Sequence, residues 1–163
     1  MTERNSFTVR RAEAADASGI LACLKQAFEP FRASYTPAAF ADTILDPESL
    51  QQRFAKMTVL VAVSRSDIIV GTIACGLIER GEGHIRGMAV LPDYQGAGIA
   101  DALLGTAERE LRLRKCSRMT LDTTQPLLRA IRFYERNGFR PSGRISDFFG
   151  MPLFEYVKNL APE

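Results

Sequence analysis

The sequence predicts an α/β domain built on a mixed, mostly antiparallel central sheet of about seven strands flanked by helices. Three observations carry that expectation. Short β-branched runs alternate with longer stretches of helical period, in the order strand, two to three helices, three strands, helix, strand, helix, two strands. Residues 83–114 read as a strand, a glycine-bearing turn and a long amphipathic helix. The chain then closes on residues 139–158, which read as a hairpin.

The elements follow in order. Phe7 to Arg11 form a first strand. Asp16 is positioned to cap the next helix, whose buried stripe is Ile20, Leu21, Leu24 and Phe28, and Pro30 stops it. Residues 29–47 hold a second short helix with an aromatic approach. Asp46-Pro47-Glu48 starts another, carrying Leu50, Phe54 and Met57. Residues 59–63 and 68–78 pair as an antiparallel hairpin. Gly81 and Gly83 turn the chain into the strand of Ile85, Met88 and Val90, which Pro92 ends for want of a ladder donor. Ile99, Ala100, Leu103, Leu104, Ala107 and Leu111 then recur at helical spacing, and residues 118–123 return as a strand. Thr124 or Gln125 starts the last helix, with Pro126 near its first position. Leu127, Leu128, Ile131, Phe133 and Tyr134 form its stripe, and Asn137-Gly138 ends it. Phe139-Arg140 opens one strand and residues 151–158 form the last. No repeat, linker or low-complexity tract interrupts residues 1–163, so one domain is expected.

Composition excludes several classes. Of 163 residues, 46% are hydrophobic and 25% charged, as in an ordinary soluble globular chain. The net charge of +2 points to no nucleic acid, and the basic residues of 109–118 read as a solvated helix end. No apolar run approaches membrane-spanning length and the N-terminus lacks a signal segment, so a cytoplasmic protein is the default. Cys23, Cys75 and Cys116 are far apart, without a histidine cluster, which argues against a disulfide framework and against a metal site. Cys23 and Cys75 sit in apolar surroundings as core thiols.

The junction at residues 95–100 has anion-binding physics. The first turn of a helix carries backbone N–H groups with no internal partner, and a glycine turn before it lets a bulky anion approach. No Gly-Lys-Ser/Thr follows, and the third dinucleotide-fingerprint position is Asp101. A glycine turn that merely needs flexibility is the plain alternative.

Gln95-Gly96-Ala97-Gly98-Ile99-Ala100 resembles the Gln/Arg-x-x-Gly-x-Gly/Ala signature of the GNAT N-acetyltransferase family. The approach Met88-Ala89-Val90-Leu91-Pro92-Asp93-Tyr94 resembles the family's strand and Pro-x-Tyr segment. Residues 130–139, AIRFYERNGF, resemble its second motif. The resemblance implies a GNAT-like sheet with two neighbouring strands splayed into a V, and transfer of acetyl from acetyl-CoA to an amine of a small molecule, a peptide N-terminus or a lysine. Monomer and homodimer both fit it. It implies pyrophosphate held by Gln95, Gly96, Ala97, Gly98, Ile99 and Ala100, and the pantetheine arm by the backbone of Met88, Ala89 and Val90. A CoA-binding sensor without chemistry and a transferase for another acyl group are the alternatives.

The resemblance also implies side-chain roles. Tyr134 falls where the family often has the tyrosine that donates to the CoA sulfur. A phenol suits that role, and a core aromatic beside Phe133 is the other reading. His84, the single histidine, sits six residues before Val90, where many members place a glutamate base. An imidazole titrates near neutrality and can take an amine's proton. A surface or packing histidine is the alternative, and Glu79 and Glu82 are rival bases. Strand alternation puts His84 on one face with Arg86, Met88 and Val90, and Ile85 on the other. Leu127 stands where many members carry a cofactor-binding Asn, for which Thr123 or Thr124 could substitute. Phe31, Arg32, Tyr35 and Phe148, with Asp147 and Phe149, fall where the family lines its acceptor cleft.

Overall fold

In the computed structural model, which describes residues 6–160, one seven-stranded sheet runs through the protein in the order β1-β2-β3-β4-β5-β7-β6. The strands are β1 (Phe7–Arg11), β2 (Thr58–Ser64), β3 (Ile69–Glu79), β4 (Glu82–Val90), β5 (Arg118–Thr123), β6 (Arg140–Phe148) and β7 (Met151–Asn159). Only β4 and β5 pair in parallel; every other neighbour is antiparallel. Residues 1–5 and 161–163 of the expected domain lie outside the described residues.

Helices cover both faces. Of the apolar stripe of α4 (Ile99–Leu113) read from the sequence, Ile99, Leu103, Leu104, Ala107 and Leu111 are buried, whereas Ala100 is partly exposed. The buried residues pack with Leu60, Ile73, Ile85, Met119 and Phe139, and with Tyr134 of α5 (Leu128–Arg136). On the opposite face α1 (Ala17–Phe28) and α3 (Pro47–Lys56) bring Ile20, Cys23, Leu24 and Leu50 against Val61, Ala74 and Ala89. Cutting a side chain such as Leu103 or Leu111 back to alanine costs about 2–5 kcal/mol, transfer and cavity terms together. A smaller cluster joins Tyr35 to Ala39 and Phe40 of α2 (Pro37–Ile44) and Met151 of β7. Cys23, Cys75 and Cys116 are all buried free thiols, and burial pushes Cys23 up to about 12 and Cys75 up to about 11.

Local chemistry shifts four expectations. Asp16 does not cap α1: its carboxylate accepts from the Glu13 N–H at 2.7 Å and is gripped by both terminal nitrogens of Arg10. Residues 29–34 form a 3-10 turn before α2, whose first turn is capped by the Thr36 hydroxyl. Gly83 lies inside β4 and not in a turn, because the hairpin closes tightly at Arg80-Gly81. The last helix begins at Leu128, with Thr124 to Leu127 wound into an irregular turn. The Asn137-Gly138 end is as read from the sequence, and Phe139 N–H returns to the Tyr134 carbonyl.

One irregularity positions everything else. Opposite β3, Thr72 faces Ala89 and Ala74 faces Arg86, so β4 carries one residue more than its partner there. Gly87 sits in this β-bulge with φ 60°, a left-handed value that glycine adopts without Cβ strain. A bulge reverses the inward–outward alternation beyond it. Ile85, Met88 and Val90 therefore pack toward α4, while Ala89 packs toward α1. His84 opposes Gly76, whose side faces Met57 just past α3, and Arg86 opposes Ala74 on that same face. His84 and Arg86 do share a face, but Met88 and Val90 are on the other one, because simple alternation ignores the bulge.

Candidate active site

The pairing of β4 with β5 stops at Ile85–Leu121, although both strands continue. Past that point β4 bonds only to β3, and β5 only to β7. The strands part in a V, and a cavity of about 790 Å³ opens between them. Its walls come from β4, the turn before α4, the end of β5, α5, and aromatic side chains from the far side.

The α4 end of the cavity is made of backbone. Gly96 and Gly98 have φ of 82° and 86°, and a Cβ built on either meets no atom within 4 Å. The first helical bond of α4 runs from Ala102 N–H to the Gly98 carbonyl, so the amides before it have no helical acceptor. Gln95 ties the turn in place: its Nε2 donates to the Val90 carbonyl at 3.4 Å, and its Oε1 accepts from Arg129 at 2.8 Å. Met88, Ala89, Val90, Gln95, Gly96, Gly98, Ile99 and Ala100 all line the cavity. Ala97 does not; it packs against the core beside α4.

Tyr134 lies on the cavity wall, 9% exposed, between the rings of Phe133 and Phe139. Its hydroxyl donates to the Met88 sulfur at 3.8 Å. A thioether is a weak acceptor, so among the described residues this phenol has no strong partner. Burial pushes its pKa up to about 12, which keeps the proton on at neutral pH. Leu127 lines the same wall. Of the two nearby hydroxyls, Thr124 is engaged with the Tyr35 hydroxyl, whereas Thr123 Oγ1 is buried with no hydrogen-bond partner among the described residues.

The opposite end is made of side chains. His84 Nδ1 shares a 2.7 Å hydrogen bond with Thr120 Oγ1, directly across the parallel pair, and Thr120 also reaches the Gly83 carbonyl at 3.4 Å. His84 Nε2 lies 3.7 Å from Asp122 Oδ2. Burial pulls the imidazole pKa below its ordinary value; Asp122 opposes that, and Arg86 adds to it. Glu79 and Glu82 lie outside the cavity lining. Hydrogen bonding to Glu79 raises the Glu82 carboxyl, which sits 3.6 Å from Arg118.

Phe31, Tyr35 and Phe148 line this end. Arg32 does not: its guanidinium makes two bonds to Glu29, at 2.8 and 2.9 Å, and lies 4.1 Å over the Phe40 ring. Asp147 and Phe149 are also outside the lining, Phe149 being 53% exposed on the hairpin turn. Among the residues here that escaped the sequence reading, two bear on the chemistry. Arg53 of α3 reaches the cavity, and its signal was spacing: it lies three residues after Leu50 and four before Met57, on the inward side of an amphipathic helix. Asp122 follows Thr120 by two on β5 and so shares the His84 face.

A parallel strand pair thus opens beside a glycine turn and a helix N-terminus, which leaves room for an elongated ligand with an anionic group at the helix end. A sequence model described as "Acetyltransferase (GNAT) family" matches residues 21–139, and the chain belongs to that family. It is 35% identical over 65 residues to glucosamine 6-phosphate N-acetyltransferase of Trypanosoma brucei brucei, across 40% of this chain and 42% of that one. It is 29% identical over 98 residues to N-alpha-acetyltransferase 30 of Schizosaccharomyces pombe, across 56% and 65%. The chain thus spans between about two fifths and two thirds of these relatives. Among solved structures, the PaiA N-acetyltransferase of Thermoplasma acidophilum in complex with coenzyme A superposes with a TM-score of 0.79 at 18% identity, over 95% of this chain and 99% of that one. No described helix is long and apolar enough to cross a membrane.

Proposed function

We propose that this protein is an acetyl-CoA-dependent N-acetyltransferase whose acceptor is an amine of a small molecule, a peptide N-terminus or a lysine, and that residues 1–163 act as one catalytic domain. The observation that carries the reading is the V between β4 and β5, with an open glycine turn at one end and His84 at the other. The residues present fit the cofactor. The turn has room where a side chain would intrude, and Thr123 offers an unpartnered hydroxyl within the V, where Leu127 supplies none. Acetyl-CoA would supply the acetyl group as a thioester. The backbone of Met88, Ala89 and Val90 would hold its arm, and residues 95–100 its pyrophosphate.

The chain's own groups then manage protons. With Nδ1–H donated to Thr120, His84 presents the Nε2 lone pair to the cavity, and Asp122 favours the imidazolium once a proton arrives. In the transfer, as the acetyl group leaves sulfur for the amine nitrogen, His84 Nε2 would take the amine's proton and the Tyr134 hydroxyl would donate its own to the leaving sulfur. A protonated phenol with only a thioether as acceptor suits that donation.

The names of the two curated relatives, one for an amino-sugar phosphate and one for N-alpha acetylation, span both acceptor classes. The test is calorimetric titration with acetyl-CoA and CoA, followed by free-thiol release across an amine panel. No binding at high micromolar concentration overturns the reading. Tight CoA binding with no thiol release from any amine favours a CoA-binding sensor, and faster release from another acyl-CoA a different acyl donor.

A further inference from the structure

Two guanidinium groups face the acceptor end of the cavity, Arg53 from α3 and Arg86 from β4. Arg53 is half-buried and lies against the bulge: a Cβ on Gly87 would fall 2.4 Å from its Nη1. Burial pulls its pKa down to about 10, and the neighbouring Arg86 charge adds to that. Among the described residues neither forms an ion pair.

The contrast with the rest of the molecule is informative. Several more exposed arginines have carboxylates in contact, Arg10 with Asp16, Arg11 with Glu110, Arg32 with Glu29 and Arg114 with Glu110, while others such as Arg109 and Arg129 bond neutral side chains. Such surface pairs are worth little. The half-buried Arg53 has no carboxylate in contact; Asp42, which also lines the cavity, acts on it only from beyond contact. An unpaired cation drawn out of water costs stability unless an anion arrives to meet it. The cofactor's phosphates are not that anion, since the open glycine turn lies by α4, whereas Arg53 and Arg86 lie on the α1–α3 face of the sheet.

We propose that the acceptor is a small amine bearing an oxyanion, a carboxylate or a phosphate, held by Arg53 and Arg86 while His84 and Asp122 face its amino group; this rests on the transferase reading above. His84 and Arg86 are two positions apart on one strand, about 7 Å. A molecule with opposite charges at its two ends therefore matches the local field, its ammonium toward Asp122 and its oxyanion toward the arginines. Arg side chains suit either oxyanion through paired N–H donors.

The experiment compares matched acceptors by thiol release: γ-aminobutyrate against its amide, and phosphoethanolamine against ethanolamine. The anionic member of at least one pair is expected to win by roughly tenfold or more in kcat/KM, and the winning pair tells carboxylate from phosphate. Arg86→Gln, at an exposed position, and Arg53→Gln should each cut that ratio severalfold, mainly through KM, with acetyl-CoA affinity by calorimetry unchanged. Should Arg53→Gln fail to fold, Arg53→Lys and Arg86→Gln carry the test, and Arg53→Lys should retain part of the preference. Acetylation with no anionic preference, or a preference indifferent to both arginines, overturns this inference and leaves the transferase reading standing. A short neutral peptide acetylated faster than every small amine overturns it also. No release from any amine, with acetyl-CoA bound, removes the transferase reading and this inference with it.

Discussion

The turn at residues 95–98 and the group around Arg53 and His84 occupy two ends of one cavity and are made of different material. At the first end the chain offers backbone amides, carbonyls and two left-handed glycines, tied in place by the Gln95 and Arg129 side chains. At the second end, α3, β4 and β5 each send one or two side chains into a common space. A backbone site is rigid and general, as suits a ligand shared by many enzymes. A side-chain site changes with single substitutions, as suits an acceptor that differs between them. The largest effects should therefore be on rate at the side-chain end and on cofactor affinity at the backbone end.

His84→Ala should show the largest. General base catalysis is worth roughly a hundredfold or more, so kcat/KM at neutral pH should fall by that amount, while acetyl-CoA titrates as in the wild type. Recovery at high pH, where free amine is plentiful, would mark the loss as a proton-transfer loss. A wild-type rate with the same acid limb returns His84 to a packing role beside Thr120.

Gly98→Val probes the other end. It places a branched side chain on a residue with φ 86° and projects it into the open space of the turn. Strain there costs about 1–3 kcal/mol of stability. CoA affinity should drop by roughly tenfold to a hundredfold, beyond what that strain explains, because the side chain stands where the anion approaches the helix N-terminus. A folded variant that binds CoA normally places the phosphates elsewhere. Tyr134→Phe should be milder still: unchanged acetyl-CoA binding and turnover reduced by about tenfold. Equal turnover makes the hydroxyl a bystander in the core.

The same division explains what the sequence disclosed. The backbone end was legible because glycine turns, a proline stop and a helical stripe leave local signatures, and residues 95–100 are contiguous. Strand count and nearly every element order were legible for the same reason. The side-chain end was legible only in part: His84, Phe31, Tyr35 and Phe148 were singled out and line the cavity, but Arg53 and Asp122 were not, because strand register and helix packing bring them there from segments far apart in the chain. The face of Met88 and Val90 was misread for one reason: a single extra residue at Gly87 reverses alternation, and a glycine in a strand does not announce which partner it opposes. Arg32 was misassigned because adjacency to an aromatic segment says nothing about direction; its guanidinium turns back onto Glu29 and Phe40.

The smallest effect is also the sharpest test of the side-chain end. His84 faces Asp122 and Thr120 from β5, Arg86 from its own strand, Arg53 from α3 and Glu155 from β7. Burial is the largest influence on its pKa and lowers it; Asp122 and Glu155 raise it, and Arg86 and Arg53 lower it further. Only neutral imidazole accepts a proton, so kcat/KM should decline as pH falls through a pKa below the ordinary histidine range. Asp122→Asn removes a charge that favours the imidazolium; the pKa drops and the acid limb moves to lower pH. Arg86→Gln removes a charge that disfavours it; the pKa rises and the limb moves to higher pH. Plateau rates should change by only about twofold to threefold with a neutral acceptor, since a modest change in base strength has a modest effect on proton transfer. Opposite displacements from two substitutions on either side of one ring identify that ring as the titrating group. Limbs that stay put in both variants assign the titration to another residue. A hundredfold loss in Asp122→Asn with the acid limb abolished would make the carboxylate itself the base, with His84 holding it in place.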